Sequence, residues 1–573
     1  MSRLWIVLAL LFGVYAAVAV RLAQLQLILH RSLAEKSRSE VAQKQRVRPL
    51  RGRILDAHGR VLAVTVERPS ISISLKELDV SRQGAAKKLS AVLTDVPARE
   101  IAAKLNPGAK FVWVKRLASP EEGRAAAALG IKGVGVTMES KRFYPYGEMG
   151  RGLLGAVGID GDGTGGLEAK LDPLLQGREE VKVVLRDALG KIFAESSGGL
   201  SSGFFRGGQD ASGPFDVYLT LDARLQAGVE QRLEETVLRH DAVAGMVIVE
   251  DIPTGAILAM ASSRRGDSSG AMGLDPNLAA SLTFEPGSVV KPFVLAAALA
   301  NGAIEGSETI DCEGGRFRPV PGLTVQDHEP KNMLHVGEVL AHSSNVGFAK
   351  IGLKVGAPGL YHVYRAFGFG SKTALPVTGE AVGIVRPAED WGPFSVPMVS
   401  FGYEIGVTAL QLTQAYAALG LQGTLLEPQI VSMVTPHRLE RALFTMSPRR
   451  IRDALDPKIA RRTLGFMEEV VLYGTGIKAA MAGYAVAGKT GTAQKINPQT
   501  RKHTQHHVVV SFCGVMPMPD PKLAICAILD DPRKPKVAWG SDLAAPLFKS
   551  TAEEAVAILG IQPATDSSAR APQ

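Results

Sequence analysis

The hydrophobic pattern opens on an uncharged run from Leu4 to Val20, closed by Arg21. Its about 17 residues at ~1.5 Å each reach roughly 25 Å, the short end for a membrane span. Leu22, Leu25, Ile28 and Leu29 carry the helical period past the interface, where Arg21 can snorkel. Ala17-Val18-Ala19 fits a signal-peptide cleavage site, but the run outlasts most signal cores and its period persists, so an uncleaved anchor is preferred. Arg3 precedes the run and Arg21, Arg31, Lys36 and Arg38 follow it, so flanking charge does not orient the anchor. Residues 22–45 continue as a helix. The basic run Lys44, Arg46, Arg48, Arg51 and Arg53 then fits lipid headgroups or a solvated face equally.

Past Arg53 the period shortens. Ile54-Leu55 and Val61-Leu62-Ala63 read as two strands around an Asp-x-x-Gly turn at Asp56–Gly59, and Ile71–Ser74 alternates as a strand. Two helices follow, the second over Ile101 to Leu105, then a strand at Phe111–Val114 and a capping box at Ser119-Pro120-Glu121-Glu122. Gly161-Asp162-Gly163-Thr164-Gly165-Gly166 matches a dinucleotide fingerprint, with Asp187 at the expected distance. However, Asp162 would set a carboxylate beside the pyrophosphate, the next helix breaks at Asp172-Pro173, and no further βαβ unit follows. A flexible glycine-rich turn is preferred.

From Thr220 the pattern predicts a long helix to His240 and a hairpin of Met246–Glu250 and Ala256–Ala261 around Pro253-Thr254-Gly255. Glu285-Pro286-Gly287-Ser288-Val289-Val290-Lys291 then reads as a helix start, opening an apolar run that ends near Gly302. Ser288 and Lys291, three apart, share one helix face. A serine hydroxyl needs a neighbouring base, and a lysine serves only if burial or nearby positive charge keeps it neutral. Ser-x-x-Lys alone is a weak signal, expected by chance about once or twice in a chain of this length. Ala341-His342-Ser343-Ser344-Asn345 reads as a loop between helices. Ala485–Ala493 reads as an edge strand in which Gly491 allows close backbone approach. Val508–Phe512 and Leu523–Leu529 are strands, and a helix runs from about Leu543 to Leu559.

Composition narrows the classes. The net charge of +9 points to an anionic neighbour, yet no zinc-finger spacing, aromatic RNA-binding motif or long basic block supports nucleic acid. Cys312, Cys513 and Cys526 lie far apart without Cys-x-x-Cys, which argues against zinc or redox chemistry and favours small buried hydrophobes. A Cys513–Cys526 bridge is the alternative if the domain lies outside the cytoplasm.

Taken together, Ser288-x-x-Lys291, Ser343-x-Asn345 and Lys489-Thr490-Gly491 resemble, in order, the motif trio of penicillin-binding proteins. Arg51-Gly52 to Ala63, Arg142-Phe143-Tyr144-Pro145, Gly166-Leu167-Glu168 and Leu219-Thr220-Leu221-Asp222 resemble N-terminal signatures of class B members. Ser400-Phe401-Gly402-Tyr403 and Thr408-Ala409-Leu410-Gln411 resemble signatures of their transpeptidase domain. His342-Ser343-Ser344-Asn345-Val346-Gly347 and Gly476-Ile477-Lys478-Ala479-Ala480 are most similar to the cell-division, FtsI-type branch.

The resemblance implies an α+β fold: a five-stranded antiparallel sheet flanked by helices, an elongated N-terminal pedestal and one transmembrane helix. Its expected layout is a cytoplasmic N-terminus at 1–3, an anchor at 4–21, a pedestal of dimerisation type at 22–215, a transpeptidase domain at 216–562 and a disordered tail at 563–573. It implies a peptidoglycan D,D-transpeptidase in the inner membrane, with its catalytic domain on the outer side. Elongation-type, carboxypeptidase or β-lactamase, and non-catalytic scaffold readings are the alternatives. Ser288 would attack the amide between two D-alanines of a stem peptide, Lys291 would take its proton, and Ser343 would relay a proton to the leaving amine. Asn345 would bond Lys291 and substrate, and Lys489, Thr490 and Thr492 would hold the terminal carboxylate. Backbone N–H groups of Ser288 and Thr492 would form the oxyanion hole. No cofactor or metal is implied. Implied partners are stem peptides as donor and amine acceptor, β-lactams, a SEDS-type glycan polymerase with other division proteins, and membrane lipid.

Three features sit outside the pattern. Glu404 stands where the family has glycine. Glu329-Pro330-Lys331-Asn332 imitates a deacylation motif from the wrong side of Ser343. His503, His506 and His507 fit a mobile polar loop near the cleft mouth better than a metal site.

Overall fold

A computed structural model describes residues 2–30, 32–33, 42–47, 49–106, 108–177, 180–186, 192–196, 214–266, 277–437, 439, 441–496 and 503–563. Arg31, Lys36, Arg38, Arg48, Asp187 and the tail after 563 lie outside these residues. The chain divides into two compact units, one of residues 1–50 with 176–214 and one of 51–175 with 215–573.

In the first unit an α-helix runs Ser2–Ala23 and passes into a π-helical turn at Gln24–Ile28. Leu4–Ile28, 25 residues of mean hydropathy 2.3, is long and apolar enough to cross a membrane. The helix expected over 22–45 does not continue through its end, because Ala42–Val47 is a strand. It pairs antiparallel with Glu180–Arg186, which pairs in turn with Ile192–Ser196. A pairing partner more than a hundred residues away overrides the local period.

In the second unit, Ile54–Leu55 and Val61–Ser74 form the expected hairpin. The two strands belong to a seven-stranded sheet that also takes in Phe111–Lys115, Val134–Phe143, Phe215–Leu219, Val431–Pro436 and Phe444–Thr445. Ser119 caps the helix Pro120–Ala128 through the expected capping box. Arg51 is neither solvated nor free for lipid, being only 6% exposed. Its guanidinium spans the Glu168 carboxylate at 2.7 Å and Asp172 at 2.6 Å, while Arg142 Nε donates to the other Glu168 oxygen at 2.7 Å. Arg53 pairs with Asp216 at 2.7 Å. The signatures at 51–52, 142–145 and 166–168 thus converge on one buried ion cluster, whose acidic partners the run of basic residues does not reveal. The glycine-rich segment is packed rather than flexible. Gly166 opens the helix Gly166–Lys170 that carries Glu168, and its N–H donates to Thr378 Oγ1 at 3.0 Å.

The remainder is built on a five-stranded antiparallel sheet. Its strands are β1 (Ala244–Asp251), β2 (Ala256–Arg264), β3 (Ala487–Ile496), β4 (His503–Met516) and β5 (Leu523–Asp530), in the order β2-β1-β5-β4-β3. Both faces are buried, so the strands read as near-continuous apolar runs. Along β1, Ala244, Met246 and Ile248 join one core while Val247 and Val249 join the other. Helices α1 (Ala223–Arg239) and α6 (Ala544–Leu559) contribute to the second core. In the first lie α2 (Lys291–Ala300), α3 (Asn345–Ala366), α4 (Ala409–Gly420) and α5 (Pro457–Leu472). Phe293 on α2 packs against Phe367, Phe369 and Tyr416 at centroid distances of 4.8, 5.3 and 5.6 Å. The Tyr416 hydroxyl donates to the Val289 carbonyl at 2.7 Å, pinning the turn that carries Ser288.

Cys513 and Cys526 face each other across β4 and β5 with Cα atoms 4.2 Å apart, and they form a disulfide. This corrects the reading of all three cysteines as unpaired hydrophobes. Only their register, set by the Met516–Leu523 turn, brings residues thirteen apart into direct opposition. Cys312 is a buried free thiol.

Candidate active site

Ser288 lies in a 3-10 turn, Gly287–Val290, that runs into α2. Helix starts present unpaired N–H groups, and this one has an apolar first turn apart from Ser288 and Lys291. Edge strand β3 lies against that turn. A Cβ on Gly491 would fall 2.9 Å from Val289 Cγ1 and 3.1 Å from the Pro286 carbonyl, so only glycine permits the contact. One on Gly287 would meet the Thr492 carbonyl at 3.2 Å. The oxygen of Thr492's hydroxyl accepts from Gly540 N–H at 3.0 Å.

Both lysines are completely buried. Lys291 Nζ donates to the Ser343 carbonyl at 2.7 Å, to Asn345 Oδ1 at 2.8 Å and towards Ser343 Oγ at 3.2 Å. Lys489 Nζ reaches the same Ser343 Oγ at 2.9 Å, and Thr490 O at 3.0 Å. One hydroxyl therefore sits between two amines. Ser343 holds it there with a left-handed backbone, φ 57°, costly for a side chain other than glycine. Thr490 Oγ1 lies 2.7 Å from Thr475 Oγ1, and Thr475 N–H donates to the Ala341 carbonyl at 3.0 Å, tying β3 to the helix before Ser343. The structure thus gathers Lys291, Ser343, Asn345, Lys489 and Thr490 into one hydrogen-bonded chain. Gly491 and Thr492 abut the Ser288 turn.

Burial drives the electrostatics. Loss of water pulls Lys291 down to about 7, against the opposing pull of the Asp327 carboxylate. Lys489 is held well below its usual range by burial and by the positive charge of Lys291. Two amines around one hydroxyl, both dry, cannot both carry a proton cheaply.

A second layer escaped sequence reasoning. Asp327 accepts from Ser344 Oγ at 2.6 Å and Val346 N–H at 2.9 Å, and Asn345 Nδ2 donates to the Gln326 carbonyl at 3.0 Å. Tyr403 Oη accepts from Gln494 N–H at 3.2 Å. Glu404, where the family has glycine, keeps the left-handed conformation at φ 59°. Its carboxylate is held by Arg386 and by Ser395 Oγ, and its N–H donates to Glu285 Oε1 at 2.9 Å. A salt bridge and the Ser395 hydroxyl thus hold the side chain of a residue whose backbone is left-handed. Gly402, at φ 90°, leaves no room for a Cβ, which would fall 2.1 Å from the Gly287 carbonyl. Gly402 and Tyr403 fall in the Ser400–Tyr403 signature, whereas Asp327, Gln326, Arg386 and Ser395 belong to no motif with fixed spacing.

His503 and His507 belong to β4 rather than to a loop. His503 Nδ1 pairs with the Gln494 carbonyl at 3.0 Å and His507 Nδ1 with Asp531 at 2.8 Å; the His506 side chain lies outside the described residues. Glu329 is exposed beside Lys331 at 3.9 Å.

A serine at a helix start, a dehydrated lysine one turn on, and a second lysine on the facing edge strand form an arrangement suited to serine-type acyl transfer. The family model described as the penicillin binding protein transpeptidase domain matches residues 245–553, and the penicillin-binding protein dimerisation domain matches 46–202. The chain is 31% identical over 568 residues to the "Probable peptidoglycan D,D-transpeptidase PenA" of Neisseria gonorrhoeae, covering 98% of this chain and 94% of that one. It is 30% identical over 558 residues to the "Peptidoglycan D,D-transpeptidase FtsI" of Escherichia coli, covering 95% and 89%. A peptidoglycan synthetase from Bifidobacterium adolescentis shares the fold at TM-score 0.71 and 23% identity, covering 93% of this chain and 99% of that one. The chain belongs to the class B penicillin-binding proteins, the peptidoglycan D,D-transpeptidases.

Proposed function

We propose that the protein crosslinks peptidoglycan stem peptides through an acyl-enzyme on Ser288, in septal wall synthesis, with the catalytic unit outside the cytoplasmic membrane. Ser288 Oγ attacks the carbonyl carbon of the D-Ala-D-Ala amide while Lys291 Nζ takes its proton. N–H groups of Ser288 and Thr492 receive the oxyanion. The C–N bond then breaks, and the proton passes through Ser343 Oγ to the departing D-alanine amine. An amine on a second stem attacks the ester, Ser288 regains its proton, and a new amide joins the strands.

The single observation that carries this reading is the Ser343 hydroxyl between two buried amines, 3.2 Å from Lys291 and 2.9 Å from Lys489. The donor's terminal carboxylate, bound at Lys489 and the Thr490 and Thr492 hydroxyls, would draw the shared positive charge onto Lys489 and leave Lys291 neutral. Substrate binding then readies its own base. A β-lactam enters the same path, but its leaving amine stays tethered in the opened ring, so the ester persists.

The outward orientation draws support from the Cys513–Cys526 disulfide, since such bonds persist in oxidising compartments. Septal duty rests on the FtsI-type segments and the FtsI relative. On the same resemblance a SEDS-type polymerase is the expected partner of the anchor and pedestal. Complementation of a strain depleted of its septal transpeptidase tests the role: wild type restores division and Ser288→Ala does not. Restored division with Ser288→Ala would reduce the protein to a scaffold. Thiol labelling of non-reduced, denatured protein from membranes should find Cys312 alone, and three reactive thiols would contradict the orientation.

A further inference from the structure

Three segments meet under the Ser343 turn. The hairpin Arg316–Val320 and Leu323–Gln326 ends at Asp327, whose own N–H donates back to the Gly315 carbonyl at 2.9 Å. Helix α3 begins at Asn345, with Ser344 as its cap: Ser344 Oγ accepts from Gly347 N–H at 2.9 Å and donates to Asp327 Oδ2 at 2.6 Å. Asp327 Oδ1 accepts from Val346 N–H at 2.9 Å, so both carboxylate oxygens are spent on the two residues flanking Asn345. An anion at a helix start is favoured by the helix dipole, which steadies this arrangement.

The residues so held are those whose aim matters. Ser343 sits immediately before the cap in a strained conformation, and Asn345 immediately after it. Besides the two Asp327 contacts, the Asn345 Nδ2 bond to the Gln326 carbonyl ties the hairpin to the turn, and Val325 packs into the core beneath it. Asp327 also matters by charge. Its carboxylate acts on the Lys291 amine and on the Cys312 thiol, which Lys350 and Asp311 also influence, and Lys350 is already paired with Glu313 at 2.6 Å.

We infer that Asp327 is a positioning residue of the acylation site: it fixes the turn that aims Ser343 and Asn345, and its charge balances that of the buried Lys291. The inference rests on Lys291 acting as the base. Removing the carboxylate has two opposed effects. The turn loosens, which slows acylation, while Lys291 loses a stabilising anion and becomes neutral at lower pH.

The test is the pH profile of acylation by a fluorescent penicillin, measured on the full-length protein in detergent, with thermal unfolding as a folding control. Asp327→Asn keeps the shape and removes the charge. Its plateau should fall about tenfold to a hundredfold, and its acid limb should move about one pH unit lower than in the wild type. Asp327→Glu keeps the charge but shifts the carboxylate by one methylene, so its plateau should fall with the limb left in place. A limb at the wild-type position in Asp327→Asn overturns the inference, as does an undiminished plateau. A wild-type profile with no acid limb instead sinks the lysine-base reading itself, so the two failures are distinguishable.

Discussion

Replacing Lys291 with arginine tests the dehydrated base directly. Burial takes its amine from 10.5 to about 7. At ~1.4 kcal/mol per tenfold, that is roughly 5 kcal/mol spent on holding the amine neutral. At pH 7 about half of the molecules then carry a free lone pair, against about one in 3,000 for a lysine in water. The sign follows from the neutral form being active: the acylation rate should climb about tenfold per pH unit below pH ~6 and level off above pH ~8. Stability runs the same way. The unfolded chain binds the proton more tightly than the folded one, so folding gains as pH rises from about 7 towards 10.5 and loses that gain as pH falls through 7. Arginine keeps the positive charge and most of the bulk but does not give up a proton. Stopped-flow measurement of acylation by a chromogenic cephalosporin should show Lys291→Arg slowed by about a thousandfold or more at pH 8. A variant within tenfold of wild type, or a wild-type limb near pH 10, would refute the argument.

Two other buried charges make separate predictions. Glu168→Ala leaves the Arg142 guanidinium buried without a carboxylate and Arg51 with Asp172 alone, and should cost about 3–5 kcal/mol, read as a lower midpoint in urea unfolding. Retention of the wild-type midpoint would show that the cluster is solvated. Glu250 is fully buried in β1, with Oε2 unpartnered and its carboxyl raised to about 8 by desolvation and the neighbouring Asp251. The folded state therefore holds its proton longer than the unfolded one, and stability should decline as pH rises from about 4.5 to about 8. Glu250→Gln should remove that decline and raise the melting temperature at pH 8; a steeper decline would contradict the assignment.

Much of the architecture is legible in the chain because its elements carry their own period. The apolar strands at 508–512 and 523–529, the Thr220–His240 helix and the capping box at Ser119 all form where local pattern places them. What could not be read depends on contacts between distant segments. The strand at 42–47 exists through its partner at 180–186, and the disulfide exists through the register of β4 on β5. The same division holds in the site. Ser288, Lys291, Ser343, Asn345 and Lys489 announce themselves by spacing. Asp327, Thr475 and Arg386 have no fixed offset from them and are recognisable only once the chain is folded around the cleft. Glu404 shows the converse: where a glycine is expected, a glutamate takes a left-handed backbone, and Arg386 and Ser395 hold its side chain.

Peptide mapping by mass spectrometry after exposure to benzylpenicillin tests the central claim most directly. The account predicts one adduct of the mass of the intact drug, on the Ser288 hydroxyl, absent from Ser288→Ala and persisting through repeated washing. An adduct on another residue, or none at saturating drug, would contradict it.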